Sequence, residues 1–101
     1  MPQPDPESMR QHACEAAGLL KALSNENRLI LLCALAEGEL SVRQLSQRVD
    51  LSQSALSQHL AVLRREGLVS TRRESQTIYY SLASTNASKL IDFLYETYCA
   101  A

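Results

Sequence analysis

The stretch from Ser41 to Val69, SVRQLSQRVDLSQSALSQHLAVLRREGLV, admits few folds. Val42, Leu45 and Val49 recur at helical spacing after a Ser41 cap, and the pattern breaks at Asp50 and Leu51. Ser52 then caps a second helix whose Ala55, Leu56, Leu60 and Leu63 form one apolar stripe, ended by Gly67. Two short helices joined by so tight a turn pack across one another as a helix-turn-helix unit. Beyond Gly67 the period changes. LVSTRR and TIYYSLA alternate, are rich in β-branched and aromatic residues, and flank a polar ESQ, which predicts a hairpin lying beside the second helix as a wing.

The flanks complete the domain. Residues 1–7, MPQPDPE, hold all three prolines and read as a flexible tail, although Asp5 is able to cap a helix opened by Pro6. A helix follows to about Leu23, with Ala13, Ala16, Ala17, Leu20 and Leu23 on one side. Ser24 is the expected N-cap of the next helix, which closes at Gly38. Its Leu29 to Ala36 segment is apolar all round, as a centrally buried helix would be. A last helix from about Asn86 carries Leu90, Ile91, Leu94, Tyr95 and Tyr98 on one side, a stripe that pairs with the first helix as a subunit contact. The expectation is one mainly α domain over 8–101: four helices, a β-hairpin wing and a fifth helix, a winged helix-turn-helix dimerised through its first and last helices. At 101 residues the chain buries only a modest core, so a second copy adds useful apolar burial.

No apolar run approaches the roughly 20 residues that span a bilayer, and no charged segment precedes an apolar one as in a signal peptide. A cytoplasmic protein with no membrane partner is expected. Three cysteines without a scaffold-like spacing rest there as thiols. There is no Cys-x-x-Cys, and no visible His or carboxylate partner for a nucleophile, so neither an enzyme nor a cofactor is expected.

The net charge of −1 is unevenly divided. Residues 39–73 carry six arginines against three acidic residues, a local +3, while the flanks carry four basic residues against eight acidic ones. Arginine's planar fork suits phosphate, and the basic segment coincides with the helix-turn-helix and wing. Gln53, Ser54, Ser57 and Gln58 occupy the outward front edge of the second helix. Small polar side chains there let a helix enter the major groove of a DNA duplex, where glutamine pairs with adenine and serine reaches base or phosphate. Arg72 and Arg73, at the hairpin tip, are placed for the neighbouring backbone or minor groove. His59 sits at the border of the inward stripe and has two readings, a satisfied structural histidine or a DNA contact. The whole polar edge also has a plainer reading, as the solvated side of an ordinary helix in a protein-contact module.

LSNENRLILLCAL, LSQSALSQHLAVLRREGLV and RRESQTIYYSL resemble the corresponding segments of ArsR/SmtB-type bacterial repressors, over about residues 15–99. The resemblance implies a homodimer on palindromic operator DNA that changes its grip when an inducer acts. The family's arsenic-type metal pattern is lacking: Ser41 and Arg43 stand where its cysteines would be. The zinc-type pattern also fails, because the last helix has Asp92 and Glu96 but no histidine. His12 and Cys14 are one weak local pair, so no metal site is expected. Cys33 and Cys99 resemble instead the dithiol of the BigR/SqrR/YgaV/HlyU-like subgroup, which implies derepression when persulfide, related reactive sulfur or an oxidant bridges the two. The competing readings are a buried free cysteine acting as a small hydrophobe, a metal-responsive or non-redox regulator, and a regulator that competes with another DNA-bound protein.

Overall fold

The computed structural model describes residues 5–99. Helix α1 (Pro6–Leu23) starts at Asp5, whose Oδ1 accepts from the Ser8 amide at 2.9 Å, and proline in the first turn needs no amide partner. Pro6 and Glu7 therefore belong to the helix and not to the tail expected over 1–7. The rest of that tail, 1–4, lies outside the described residues, as do 100 and 101. Helix α2 (Glu26–Ala36) is capped by Asn25 Oδ1, which accepts from the Arg28 amide at 3.0 Å. Ser24, the expected cap, is instead the C-cap of α1, so the start of α2 moves one residue on. Glu37 ends α2, and Gly38 follows at φ +147°, a backbone position that side chains rarely tolerate.

Strand β1 (Leu40–Ser41) leads straight into helix α3 (Val42–Ser46). Ser41 Oγ accepts from the Gln44 amide at 3.1 Å and Gln44 Oε1 accepts from the Ser41 amide at 2.8 Å, a reciprocal cap. Replacing Ser41 with Ala is expected to cost about 1 kcal/mol. The check is a lower urea midpoint at unchanged slope. The apolar pattern through Val49 overran this helix: the amides of Gln47 and Arg48 fold back onto the carbonyls of Gln44 and Leu45, tightening the chain into its turn. Helix α4 (Gln53–Arg65) begins on Ser52 Oγ, which accepts from the Ala55 amide at 3.1 Å, and gives way to Gly67 at φ +74°.

Strands β2 (Val69–Glu74) and β3 (Thr77–Leu82) form the hairpin, and helix α5 (Thr85–Tyr98) follows. The hairpin is part of a three-stranded sheet in the order β1-β3-β2. Leu40 pairs with Tyr80 and Ser41 with Tyr79 on one side of β3. β2 pairs along the other, from Val69 with Leu82 to Glu74 with Thr77.

Leu31 and Leu32 of α2, Leu45 of α3, Leu56 and Leu63 of α4 and Ile91 of α5 are fully buried at the centre. Each such side chain contributes about 1.5–3 kcal/mol by leaving water. Two expectations change. Helix α2 is not covered on every side, since Ile30 is 42% exposed and Cys33 half-buried. On α5, Ile91 belongs to the chain's own core and Leu90 packs against it, so of the expected stripe Tyr95 and Tyr98 are the bare part, and Phe93, 60% exposed, is a further bare residue on another side of the helix. On α1, Ala13, Ala16, Ala17 and Leu20 are exposed and only Leu23 of that set is buried. No helix among the described residues is long and apolar enough to cross a membrane.

Candidate DNA interface and dithiol cleft

Gln53, Ser54, Ser57 and Gln58 are all exposed on the first turns of α4, while Leu56, Leu60 and Leu63 hold its other side in the core. The helix is thus fixed along one face and presents short polar side chains on the other. Ser57, Ala61 and Arg64 face the wing residues Ile78 and Tyr80 across a groove of about 590 Å³.

The wing arginines part company. In the antiparallel register Arg73 pairs with Ile78 and Arg72 with Tyr79, and cross-strand partners share a sheet face. Arg73 therefore lies on the groove side with Ile78. It is exposed and enters no ion pair among the described residues. Arg72 lies on the opposite face. Its Nη2 donates to Glu39 Oε1 at 2.7 Å, its Nη1 to Glu74 Oε2 at 2.7 Å, and its guanidinium covers the Tyr79 ring at 4.6 Å. Those hydrogen bonds hold the Glu39 carboxyl below its ordinary range. Both arginines stand in β2 ahead of the Ser75–Gln76 turn, so neither is at the tip itself.

His59 is half-buried, and its Nδ1 accepts from Arg28 Nη1 at 3.3 Å. The same guanidinium donates through Nε to the Ala22 carbonyl at 2.6 Å, one of the acceptors left open at the end of α1. One side chain of α2 thereby ties the end of α1 to the middle of α4 through His59.

The structure brings Cys33 and Cys99 together. Cys33 is half-buried on the open side of α2, and Cys99 is exposed at the C-cap of α5, where its amide donates to the Tyr95 carbonyl at 2.8 Å. Both line a cleft of about 690 Å³ between these helices. Burial, and then the nearness of Cys99, push the Cys33 thiol above its ordinary range. Ile30, Ile91 and Tyr95 supply apolar wall. Arg48, Glu37 and Asp92 also reach the cleft, and sequence reasoning missed all three. No local pattern signals them, because only the packing of α2, α5 and the turn after α3 puts them beside the thiols. Cys14 lies elsewhere, exposed on α1, lining with His12 and Glu15 a separate cleft of about 590 Å³. Among the described residues no group of three His, Cys, Asp or Glu side chains is placed to hold a metal ion.

The profile described as "Bacterial regulatory protein, arsR family" matches residues 25–71. The chain is 54% identical to the transcriptional activator HlyU of Vibrio cholerae over 94% of its own length and 88% of that protein's. It is 48% identical to the biofilm growth-associated repressor of Agrobacterium fabrum, over 92% and 80% of the two chains. Among solved structures, reduced HlyU from Vibrio cholerae superposes with a TM-score of 0.88 at 54% identity, covering 92% of this chain and 98% of that one. The transcriptional repressor BigR from Xylella fastidiosa gives 0.85 at 45% identity, covering 97% and 100%. With such likeness along nearly its whole length, this chain belongs to the ArsR family of winged helix-turn-helix regulators, which act on transcription by binding operator DNA and are not enzymes.

Proposed function

We propose that the chain is a cytoplasmic, homodimeric repressor whose hold on a palindromic operator is released when Cys33 and Cys99 are bridged. The observation that carries this reading is the single cleft, between α2 and α5, into which both thiols open. The bare apolar residues Met9 and Leu20 of α1 and Phe93 of α5 supply the subunit contact, in which a second copy covers what one copy leaves in water. Two α4 helices related by a twofold axis then read half-sites about 34–36 Å apart, one turn of the duplex. Gln53, Ser54, Ser57 and Gln58 face the bases and Arg73 a phosphate. Arg72, bound to Glu39 and Glu74, steadies the wing.

A persulfide brings its own oxidising equivalent. The exposed Cys99, as thiolate, attacks the terminal sulfur of R–S–SH, forming a protein persulfide and expelling R–S⁻. Cys33, once deprotonated, attacks the Cys99 sulfur and expels HS⁻. Two protein thiols and one R–S–SH thus become one disulfide, R–SH and H₂S. A second donor molecule that first converts Cys33 to a persulfide leaves one extra sulfur in the bridge. Either link ties the core helix α2 to the end of α5 and alters the angle between the two reading helices. Only about 1.4 kcal/mol of difference between states changes DNA affinity tenfold.

Intact mass and operator affinity of the full chain, before and after glutathione persulfide, test this reading. Loss of affinity with a mass change for one intramolecular bridge is expected, and unchanged affinity overturns it. The DNA face has its own test. Arg73→Ala is expected to weaken binding to all duplexes alike and to lower the salt slope by about 2, as loss of one phosphate contact from each of the two subunits does. Arg72→Ala on the opposite face leaves that slope unchanged.

The activator among the relatives favours one variant of this reading. A regulator that displaces another DNA-bound protein raises transcription with the same two reading helices. Transcription in a purified system, with and without the competing protein, separates the two signs of control.

A further inference from the structure

The thiols share their cleft with charges of both signs. Arg48, from the turn between α3 and α4, lies on its wall with Glu37, at the end of α2, and Asp92, of α5. None of the three enters an ion pair among the described residues. Between these charges and the sulfurs the wall is apolar, with Ile30, Ile91 and Tyr95. A guanidinium and carboxylates that line one cleft without neutralising each other are complementary to a ligand that carries both an anion and a cation.

Resting on the dithiol reading above, we propose that the cleft takes its sulfur from a zwitterionic donor, an amino-acid or short-peptide persulfide, whose carboxylate sits on Arg48 and whose ammonium sits on Glu37 and Asp92. The short apolar arm of such a donor crosses the Ile30 and Ile91 wall and delivers its terminal sulfur to Cys99. Inorganic polysulfide is a bare dianion. It meets two carboxylates against one guanidinium and gains nothing from the apolar wall. Hydrogen peroxide carries no charge for any of the three groups to hold. The cleft remains open beside the proposed subunit contact, because Phe93 lies two residues from Tyr95 and hence about 160° round the helix from it.

The test uses the reduced full chain and four donors at equal concentration: cysteine persulfide, its methyl ester, N-acetylcysteine persulfide and inorganic tetrasulfide. The reading is the rate of bridge formation by quenched intact mass. Arg48→Gln is expected to slow cysteine persulfide and N-acetylcysteine persulfide about tenfold and to leave the ester, which has no carboxylate, unchanged. Glu37→Gln combined with Asp92→Asn is expected to slow the two donors with a free ammonium and to speed tetrasulfide. Dividing each variant's rate by that of the unmodified chain removes the donors' intrinsic reactivities, and all these side chains are exposed, so folding is not at stake. A uniform factor across the four donors, or no effect of either variant, overturns the zwitterion assignment while the switch stands. Failure of every donor to bridge the thiols overturns both.

Discussion

A Cys33→Ser chain is expected to keep its full operator affinity after a persulfide challenge that costs the unmodified chain about tenfold or more. Cys99→Ser should behave alike, because either substitution removes one end of the bridge. Cys14→Ser, altered in a different cleft, should still respond. Binding isotherms on one operator, before and after treatment, check all three. The same mechanism fixes a pH dependence. Burial first, and the neighbouring Cys99 second, raise the Cys33 thiol, so its reactive thiolate is scarce at neutral pH and grows as the solution is made alkaline. Bridge formation should therefore keep accelerating above pH 7 and show no plateau there. The linkage has a stability counterpart: the folded chain favours protonated Cys33, a contribution present at neutral pH and lost as the pH climbs past its raised value.

Leu63→Ala is expected to be the most damaging substitution on α4. Leu63 is fully buried, and its removal leaves a cavity where α4 meets the rest of the core. A Leu→Ala change at such a site costs about 3–5 kcal/mol, which lowers the melting temperature of a domain this small by at least roughly 12 °C. Calorimetry reads that shift directly. Ala61, one turn from Ser57 on the exposed face, offers the contrast: Ala61→Ser should leave the melting temperature nearly unchanged. A large loss at Leu63 beside neutrality at Ala61 assigns one face of α4 to the core and leaves the other for a partner.

Periodicity exposed the architecture because most of its determinants are local. The stripe through Leu56, Leu60 and Leu63, the caps at Ser41 and Ser52 and the glycine after α4 sit within a turn or two of what they govern. The cap at Asn25 was missed because two adjacent residues both suit the role, and the end of α1 consumed the first. Strand β1 spans two residues, too few for any alternation to show. At the candidate site, the outward position of Gln53, Ser54, Ser57 and Gln58 followed from helix geometry, and the pairing of Cys33 with Cys99 entered through a family resemblance. The bonds from Arg72 to Glu39 and Glu74, the link from Arg28 to His59, and the charges beside the thiols depend on packing between elements distant in sequence. No spacing rule encodes them.

Small as it is, β1 makes Ser41 serve two masters, since that residue pairs with Tyr79 of the wing and caps the first helix of the reading unit. Wing and reading unit are sewn along a common seam and meet a duplex as one stiff jaw. In the proposed dimer, tuning to a different spacing between half-sites therefore comes from the joint between two jaws and not from flexing within one. A chimera that borrows a relative's wing should need that relative's residues at 40 and 41 as well.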